Sequence, residues 1–358
     1  MAAITTTTNE TLQYVQVPET SESLDWADLR TLDLSKFDDP EGRCQLVTEF
    51  IQAIQDVGFF YVKNHRLSRD EIDTQFALAE SVLLLPNEEK LKSRAALEQG
   101  DYNGWKPAGN RNLVPGVKEN FEIYNIPKFI PEHTERKHPG IVKEHLMTIE
   151  KFSKHIHEKI VRKLLIISVL ALELEDDEWL VKRHRYESTS GDHLRYMKYY
   201  AKSDEENKKL ENVWLKGHSD MGSLTLLFRQ PVAALHVLTK NGIWKYVQPQ
   251  MDALTVNIAD ALHFMTNGYL KSSIHRVVAP PKDQAHVNRL GVLHMVRIED
   301  DPNLVPIGES PILREKALLT NKILDGDGKP VKAGEWVRQR VIKNLGESTS
   351  KEGDNEVG

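Results

Sequence analysis

Short apolar runs separated by turn-forming residues fill the second half of the chain, at a spacing typical of β-strands. The pattern predicts eight strands, at residues 193–200, 213–217, 223–228, 234–239, 243–248, 253–258, 272–278 and 288–297. Strands this short and this closely spaced indicate a compact β-sandwich or barrel.

The first half of the chain has mainly helical periodicity. Apolar positions recur every three or four residues over 40–57 and again over 140–175. Between them, residues 59–62 form a β-rich run, and Ser68 with Glu71 is a capping-box pattern that starts another helix. The sequence therefore predicts helices that support a sheet.

Both termini lack apolar periodicity. Residues 1–20 and 346–358 are predicted to be flexible tails. Between 301 and 345 the pattern is weak, except for a helix predicted at 335–343, and this C-terminal extension is a candidate lid.

Composition and charge limit the kinds of partner. A formal charge of −6 and a pI near 6.2 argue against a nucleic-acid-binding protein, so the partner is a small molecule or a protein. A single cysteine, Cys44, excludes internal disulfides and cysteine-based metal clusters and fits a reducing compartment. The longest apolar run, at 164–172, is too short to span a bilayer, and the N-terminus has no secretory leader. We therefore expect a cytoplasmic protein without membrane association.

Three residues form a candidate metal site. His218 and Asp220 are two positions apart, so on a regular strand both side chains point to one face. His275 lies in a later predicted strand. Two imidazoles and one carboxylate on one face of an octahedral ion leave three positions open, which is an arrangement suited to Fe(II) that must bind both a cosubstrate and dioxygen. Taken alone, a His-x-Asp pattern is common and a strand histidine is more often structural.

Arg289 is the next informative residue. An arginine buried in an apolar strand needs an anionic partner, which could be the carboxylate of a ligand or an internal Asp or Glu. Tyr200 could add a phenolic hydroxyl to the same anion, or it could be a core aromatic residue.

Several ordered motifs together resemble one known family. Residues 58–65, 217–227, 256–260 and 273–277 resemble motifs of the 2-oxoglutarate- and Fe(II)-dependent dioxygenase superfamily. The branch that they resemble contains isopenicillin N synthase, plant flavonoid and gibberellin oxidases, and thymine hydroxylase. The resemblance covers about 27–300.

The resemblance implies a mainly β fold with flanking helices (α+β), built on a double-stranded β-helix or jelly-roll core. Its implied divisions are an N-terminal dioxygenase module at 27–130, helical support at 131–190 and the catalytic core at 191–300. It also implies that His218, Asp220 and His275 bind Fe(II) and that Arg289 binds the distal carboxylate of 2-oxoglutarate.

Two departures from the family pattern concern the cosubstrate. By the resemblance, Tyr200 assists Arg289, but the usual Arg-x-Ser ends here in Gly291, so a hydroxyl hydrogen bond is absent. The usual Asn-x-Tyr begins here with Lys198, which could supply a replacement contact to the anion or point to solvent.

The implied activity uses Fe(II), 2-oxoglutarate and O2. The resemblance implies oxidative decarboxylation to succinate and CO2, with a ferryl species that abstracts hydrogen from a small organic molecule of secondary metabolism. Hydroxylation is the expected outcome, and desaturation or rearrangement can follow the same abstraction. Two alternatives are an isopenicillin N synthase-type oxidase that does not use 2-oxoglutarate and a non-catalytic small-molecule binder.

Aromatic residues are the candidates for substrate contacts, although each could instead be structural. By analogy with the branch, the candidates are Tyr102, Trp105, Phe121, Tyr124 and Phe264.

Overall fold

The structure is a computed structural model that describes residues 12–320 and 323–353, with side chains described only up to Lys343. Its longer helices occupy the N-terminal half and the C-terminal end. The α-helices among the described residues are α1 (Pro40–Asp56), α2 (Arg69–Leu84), α3 (Asn87–Leu91), α4 (Gly140–Glu144), α5 (Leu146–His155), α6 (Arg162–Ala171), α7 (Asp204–Lys209), α8 (Asp260–Met265), α9 (Pro311–Glu315) and α10 (Ala333–Gly353). A π-helical segment, Ile156–Val161, joins α5 to α6.

The strands concentrate in the second half of the chain, as the alternating pattern predicts. The strands of the described residues are β1 (Thr31–Asp33), β2 (Phe59–Lys63), β3 (Gly104–Lys106), β4 (Asn112–Val114), β5 (Val117–Lys118), β6 (Phe121–Pro127), β7 (His193–Tyr199), β8 (Val213–His218), β9 (Leu224–Leu227), β10 (Leu235–Leu238), β11 (Trp244–Tyr246), β12 (Ala253–Ile258), β13 (His275–Val278) and β14 (Arg289–Val296). Strands β7 to β14 coincide with the eight predicted strands to within a few residues.

Two sheets form the core of the fold. The major sheet has eight strands in the order β1-β2-β12-β9-β14-β7-β6-β3, and the minor sheet has four in the order β11-β10-β13-β8. Apolar residues of β2 in the major sheet, such as Phe59, pack with Leu235 and Val237 of β10 in the minor sheet. The two sheets therefore face each other, as in the predicted jelly roll.

Helices cover the outer face of the major sheet. Phe50 of α1, Leu164 of α6 and Phe76 of α2 lie in one large buried cluster with the outward side chains of that sheet. In α2, the predicted capping box between Ser68 and Glu71 is present, with both hydrogen bonds formed. In the described part of the chain, every helix is too short or too polar to cross a membrane.

The N-terminal half supplies both flanks of the major sheet. Strand β2 pairs with β12 on one side, and β6 pairs with β7 on the other. Residues 59–63 and 121–127 are therefore hydrogen-bonded into the same sheet as the second-half strands.

The described residues of the two segments predicted as flexible tails have defined contacts or secondary structure. Tyr14 stacks on Phe76 with ring centroids 4.8 Å apart, and Thr20 donates a hydrogen bond to Asp283 at 2.8 Å. Residues 12–20 are thus attached to the body, whereas the pattern predicts a flexible tail over 1–20, of which 1–11 lie outside the described residues. At the other end α10 continues to Gly353, into the predicted tail at 346–358, of which 354–358 lie outside the described residues.

Candidate active site

A cavity of about 570 Å³ lies between the two sheets. Its walls come from both sheets, with β6, β7, β9 and β14 on the major side and β8, β10 and β13 on the minor side. Residues from α10 also reach it. A jelly roll provides such a cavity because the inward side chains of its two sheets need not meet along their whole length.

His218, Asp220 and His275 come together in this cavity. Strands β8 and β13 are antiparallel and place His218 directly opposite His275, with ring centroids 4.3 Å apart. Asp220 follows β8, and its Oδ1 lies 4.0 Å from His218 Nε2 and 3.7 Å from His275 Nε2. One possible ligand atom from each residue lies within 4.8 Å of the others, so the three could hold one metal ion.

Hydrogen bonds fix which atoms face the centre of this trio. His218 Nδ1 bonds to the Lys216 carbonyl at 3.0 Å, and His275 Nδ1 bonds to the Ser273 carbonyl at 3.2 Å. Because the carbonyls accept from both Nδ1–H groups, each Nε2 carries a free lone pair. Asn257 donates to Asp220 Oδ2 at 3.1 Å, which leaves Oδ1 turned towards the imidazoles.

Electrostatics favour the protonation states that a metal ion requires. Burial, together with the neighbouring His275, lowers the pKa of His218 to about 4, so this imidazole is neutral near pH 7. Burial alone would raise the pKa of Asp220, but the two histidines and the Asn257 hydrogen bond outweigh it and hold that pKa below its usual value. Neutral imidazoles and an ionised carboxylate are the forms that bind divalent metals.

Arg289 also lies in the cavity wall, as the first residue of β14. It is 5 % exposed, and its Nε has no hydrogen-bond partner among the described residues. Burial lowers its pKa to about 10, so the guanidinium stays charged at neutral pH. A buried, charged guanidinium with an unsatisfied donor needs an anion. The sequence left open an internal Asp or Glu as that anion, but no carboxylate of the described residues is bonded to Arg289.

The tyrosine beside Arg289 is Tyr199, which corrects the assignment of Tyr200. Arg289 is the register partner of Tyr199, and its Cζ lies 5.6 Å from the Tyr199 ring centroid. Alternation along β7 turns Arg195, Met197 and Tyr199 into the cavity. Tyr200 and Lys198 belong to the opposite face, so neither lines the cavity, and Lys198 lies over the Tyr200 ring at 5.5 Å.

Tyr200 belongs instead to a buried polar cluster around Glu122. The Tyr200 hydroxyl donates to Glu122, which also accepts from Lys90 Nζ at 2.9 Å and from Trp105 Nε1 at 2.8 Å. Glu122 is 2 % exposed. This cluster ties α3, β3 and β6 to the end of β7, so it has a structural role rather than a role in the cavity.

Gln230 fills the space left by the missing serine. A Cβ built on Gly291 would lie 1.9 Å from Gln230 Nε2, so a serine here would displace the Gln230 amide. Gln230 lines the cavity with Arg289, is 7 % exposed, and has an Oε1 without a hydrogen-bond partner in the described structure. The loop after β9 therefore places an amide where the family pattern places a hydroxyl.

Two of the five aromatic candidates line the cavity, Tyr102 and Phe121. The other three do not. Trp105 is bound to Glu122, and the Tyr124 hydroxyl bonds to His138 Nδ1 at 2.6 Å on the opposite face of β6. Phe264 packs against the large core cluster.

Cationic side chains that the sequence reasoning missed also line the cavity. They are Lys106, Arg111, Arg195, Arg297 and Arg340. Glu119 pairs with the first two, and Asp260 accepts from Arg340 Nη1 at 2.7 Å. Alternation with a period of two could have predicted Arg195 and Arg297, because they lie on the same strand face as Met197 and Arg289, respectively. No such local pattern predicts Arg340, which reaches the cavity from α10.

Comparison with known proteins places this site in a family. Residues 191–292 match the model of the 2OG-Fe(II) oxygenase superfamily, and residues 29–145 match that of the non-haem dioxygenase N-terminal region in morphine synthesis. A UPF0676 protein of Schizosaccharomyces pombe is 31 % identical over 86 % of this chain and 91 % of its own. Gibberellin 2-beta-dioxygenase 2 of Arabidopsis thaliana is 30 % identical over 67 % of this chain and 68 % of its own. The chain belongs to the 2OG-Fe(II) oxygenase superfamily.

Solved structures confirm the jelly-roll fold. The Neurospora crassa protein T7H, solved in complex with alpha-KG, superposes with a TM-score of 0.73 at 20 % identity, covering 89 % of this chain and 99 % of its own. The same protein in complex with alpha-KG and thymine gives a TM-score of 0.74 at 21 % identity, over 88 % and 97 % of the two chains. The family match and these relatives identify a 2-oxoglutarate-dependent dioxygenase, whose cofactors are Fe(II), 2-oxoglutarate and O2.

Proposed function

We propose that His218, Asp220 and His275 bind the Fe(II) of this enzyme and that the cavity oxidises a small organic molecule. The donor set supports the proposal, because both Nε2 atoms and Asp220 Oδ1 converge while Nδ1 and Oδ2 are occupied by hydrogen bonds. Two imidazoles and one carboxylate are the ligands typical of Fe(II) oxygenases. When bound, the Fe(II) supplies the activation of O2, coupled to the oxidative decarboxylation of 2-oxoglutarate.

Arg289 is the proposed anchor of the cosubstrate. Its incompletely partnered guanidinium is the single observation that carries this assignment, since a buried cation without an anion is costly. The distal carboxylate of 2-oxoglutarate supplies that anion. Tyr199 and Gln230 border the same end of the cavity and offer a hydroxyl and an amide to the carboxylate. An oxidase that does not use 2-oxoglutarate would need another anion, such as a carboxylate of its substrate, to pair with Arg289.

The rest of the cavity is proposed to enclose the substrate. Phe121 and Tyr102 contribute aromatic surface, and Val341 of α10 packs with Leu97 in the cavity wall. We place the predicted lid in this helix. Excluding water around the substrate favours oxidation of the bound molecule over side reactions. Hydroxylation is the proposed default outcome, on a small organic substrate of secondary metabolism.

Cosubstrate binding tests the proposal before any substrate is known. Anaerobic protein loaded with Fe(II) is titrated with 2-oxoglutarate, and the weak visible charge-transfer band of the chelate is recorded. The band is expected in the wild-type protein, and Arg289→Leu should weaken binding by at least about tenfold, since a charge-assisted hydrogen bond is lost. Iron binding without the band would contradict the proposed use of 2-oxoglutarate.

A matched pair of histidine variants tests the metal site. His218→Ala should lose Fe(II) binding, while the circular dichroism spectrum and urea midpoint stay near those of the wild type, because the core does not depend on the metal. His286, which is exposed and outside the cavity, provides the control, and His286→Ala should bind Fe(II) normally. Equal iron binding by both variants would remove His218 from the site.

A further inference from the structure

Arg297 is a second buried guanidinium in the same cavity, beyond the one assigned to 2-oxoglutarate. It directly follows β14, is 2 % exposed, and lines the cavity. Its Nε and Nη1 have no hydrogen-bond partner among the described residues. An arginine that is buried with unsatisfied donors is costly unless an anion is bound against it.

The backbone around Arg297 is shaped to hold its side chain. A Cβ at Gly191 would lie 2.6 Å from Arg297 Cδ, and a Cβ at Gly222 would lie 3.2 Å from Arg297 Cγ. A larger residue at Gly191 would displace the arginine stem, and one at Gly222 would press on it. Gly222 is two residues after Asp220, so the space that the Arg297 side chain occupies adjoins the metal site. The position of Arg297 is therefore built into the fold.

Tyr102 adds a second unsatisfied group to this end of the cavity. Its ring centroid lies 5.0 Å from Arg297 Cζ and 5.9 Å from Arg195 Cζ, so two cations flank one aromatic ring. The Tyr102 hydroxyl is buried and has no hydrogen-bond partner in the described structure. A guanidinium and a phenolic hydroxyl together supply the donors that an oxyanion requires.

The 2-oxoglutarate proposed at Arg289 cannot satisfy this site as well. Arg289 and Arg297 stand at opposite ends of β14, eight residues apart, which is about 26 Å along a strand. A five-carbon diacid is much shorter than that. Nearby groups of the protein do not supply the missing anion either. Asp260 already pairs with Arg340, and among the described residues Arg195 bonds to the neutral groups of Asn125 and His193.

We infer that Arg297 and Tyr102 form a second anion site that binds the carboxylate of the substrate. This assignment rests on the proposed function and names its substrate class, a monocarboxylic acid with an apolar body. The apolar body is argued from the surroundings of Tyr102, where Leu97, Met221 and Val341 form one cluster. A monoanion fits because Arg195 already has hydrogen-bond partners, whereas Arg297 has unsatisfied donors among the described residues. Asp300 is close enough to act on Arg297 electrostatically but is not bonded to it.

The test compares acids with their uncharged amides. Anaerobic protein loaded with Fe(II) and saturated with 2-oxoglutarate is titrated by calorimetry with 3-phenylpropanoate and octanoate, each beside its own primary amide. At least one acid should bind about tenfold more tightly than its amide, as expected for a charge-assisted pair. Equal binding of both acids and amides, or tighter binding of 2-phenylethyl phosphate than of either acid, overturns the inference.

Substitutions of Arg297 and Tyr102 test whether these two residues cause the preference for the acid over its amide. Arg297→Met should weaken binding of the preferred acid about tenfold and change the affinity for its amide less than twofold; Tyr102→Phe should weaken acid binding by roughly threefold. Arg297→Lys keeps the positive charge, and its binding of the acid and the amide can be measured if Arg297→Met does not fold. Arg314 is exposed and outside the cavity, so Arg314→Met serves as the control. Unchanged acid binding in the Arg297 variants removes the site.

The two proposals fail in different ways. Affinity for 2-oxoglutarate should be the same in wild-type protein and Arg297→Met, and it should fall in Arg289→Leu. Loss of 2-oxoglutarate binding by the wild type would contradict the proposed function, while the preference for acid over amide can still be measured with Fe(II) alone. Loss of that preference with normal 2-oxoglutarate binding contradicts only the second anion site.

Discussion

Two adjacent tyrosines, Tyr199 and Tyr200, are expected to respond differently to the same change, Tyr→Phe. Tyr199 lines the cavity beside Arg289, whereas the Tyr200 hydroxyl donates to buried Glu122. Removing the Tyr199 hydroxyl should cost about 1 kcal/mol of cosubstrate binding, which is roughly a fivefold higher Kd for 2-oxoglutarate. Removing the Tyr200 hydroxyl should leave that Kd unchanged.

The Tyr200 variant should instead lose stability. A hydrogen bond to a charged partner contributes about 1.5–3 kcal/mol, and Glu122 keeps two other donors, Lys90 and Trp105, so we expect a loss of about 2 kcal/mol. Urea unfolding measures this loss, and calorimetric titration of anaerobic Fe(II)-loaded protein with 2-oxoglutarate measures the Kd. A raised Kd in Tyr200→Phe with a normal Kd in Tyr199→Phe would refute the assignment of faces along β7.

Three further predictions concern the cosubstrate end, acid stability and α10. Gly291→Ser should displace the Gln230 amide and raise the Kd for 2-oxoglutarate about fivefold, and adding Gln230→Ala should restore it, by calorimetry. Burial lowers the pKa of His294 from 6.5 to about 3, so this histidine is neutral when folded and takes up a proton below pH 6.5 only when unfolded. The stability that it contributes is therefore complete above pH 6.5 and is lost as the pH falls, by about 2 kcal/mol at pH 5, and urea unfolding of His294→Leu should show a shallower pH dependence. Deleting residues 331–358 should increase hydrogen–deuterium exchange at residues 95–102, which α10 covers, and unchanged exchange would contradict the lid.

The strands and the pairing of His218 with Asp220 could be predicted from the sequence because their signals are local, whereas His275, far along the chain, was indicated as their partner by the family resemblance. Alternation with a period of two, broken by turn residues, located β7 to β14, and the two-residue spacing of His218 and Asp220 indicated a common site. The position of the cavity tyrosine was not predicted, because the structure places Tyr199 and not Tyr200 in the cavity wall. A shift of one residue along a strand moves a side chain to the other face, and the motif did not fix the register.

The missing parts of the site depend on contacts between distant segments. Gln230, in the loop after β9, meets Gly291 of the neighbouring strand β14, and Arg340 reaches the cavity from the C-terminal helix. One local signal was available, because a glycine within an apolar strand such as β14 often marks a close approach by another group. The identity of that group could not be obtained from the sequence.

The shared major sheet has a consequence for how this enzyme can be divided. Strands β2 and β6, which precede residue 191, cover β12 and β7 in that sheet. A fragment beginning at residue 191 would expose the backbone donors and acceptors of both strands, and such open edges recruit other chains. We therefore expect the two matched family regions to fold as one unit. The catalytic half expressed alone should aggregate, and coexpression with residues 12–190 should rescue it by strand pairing.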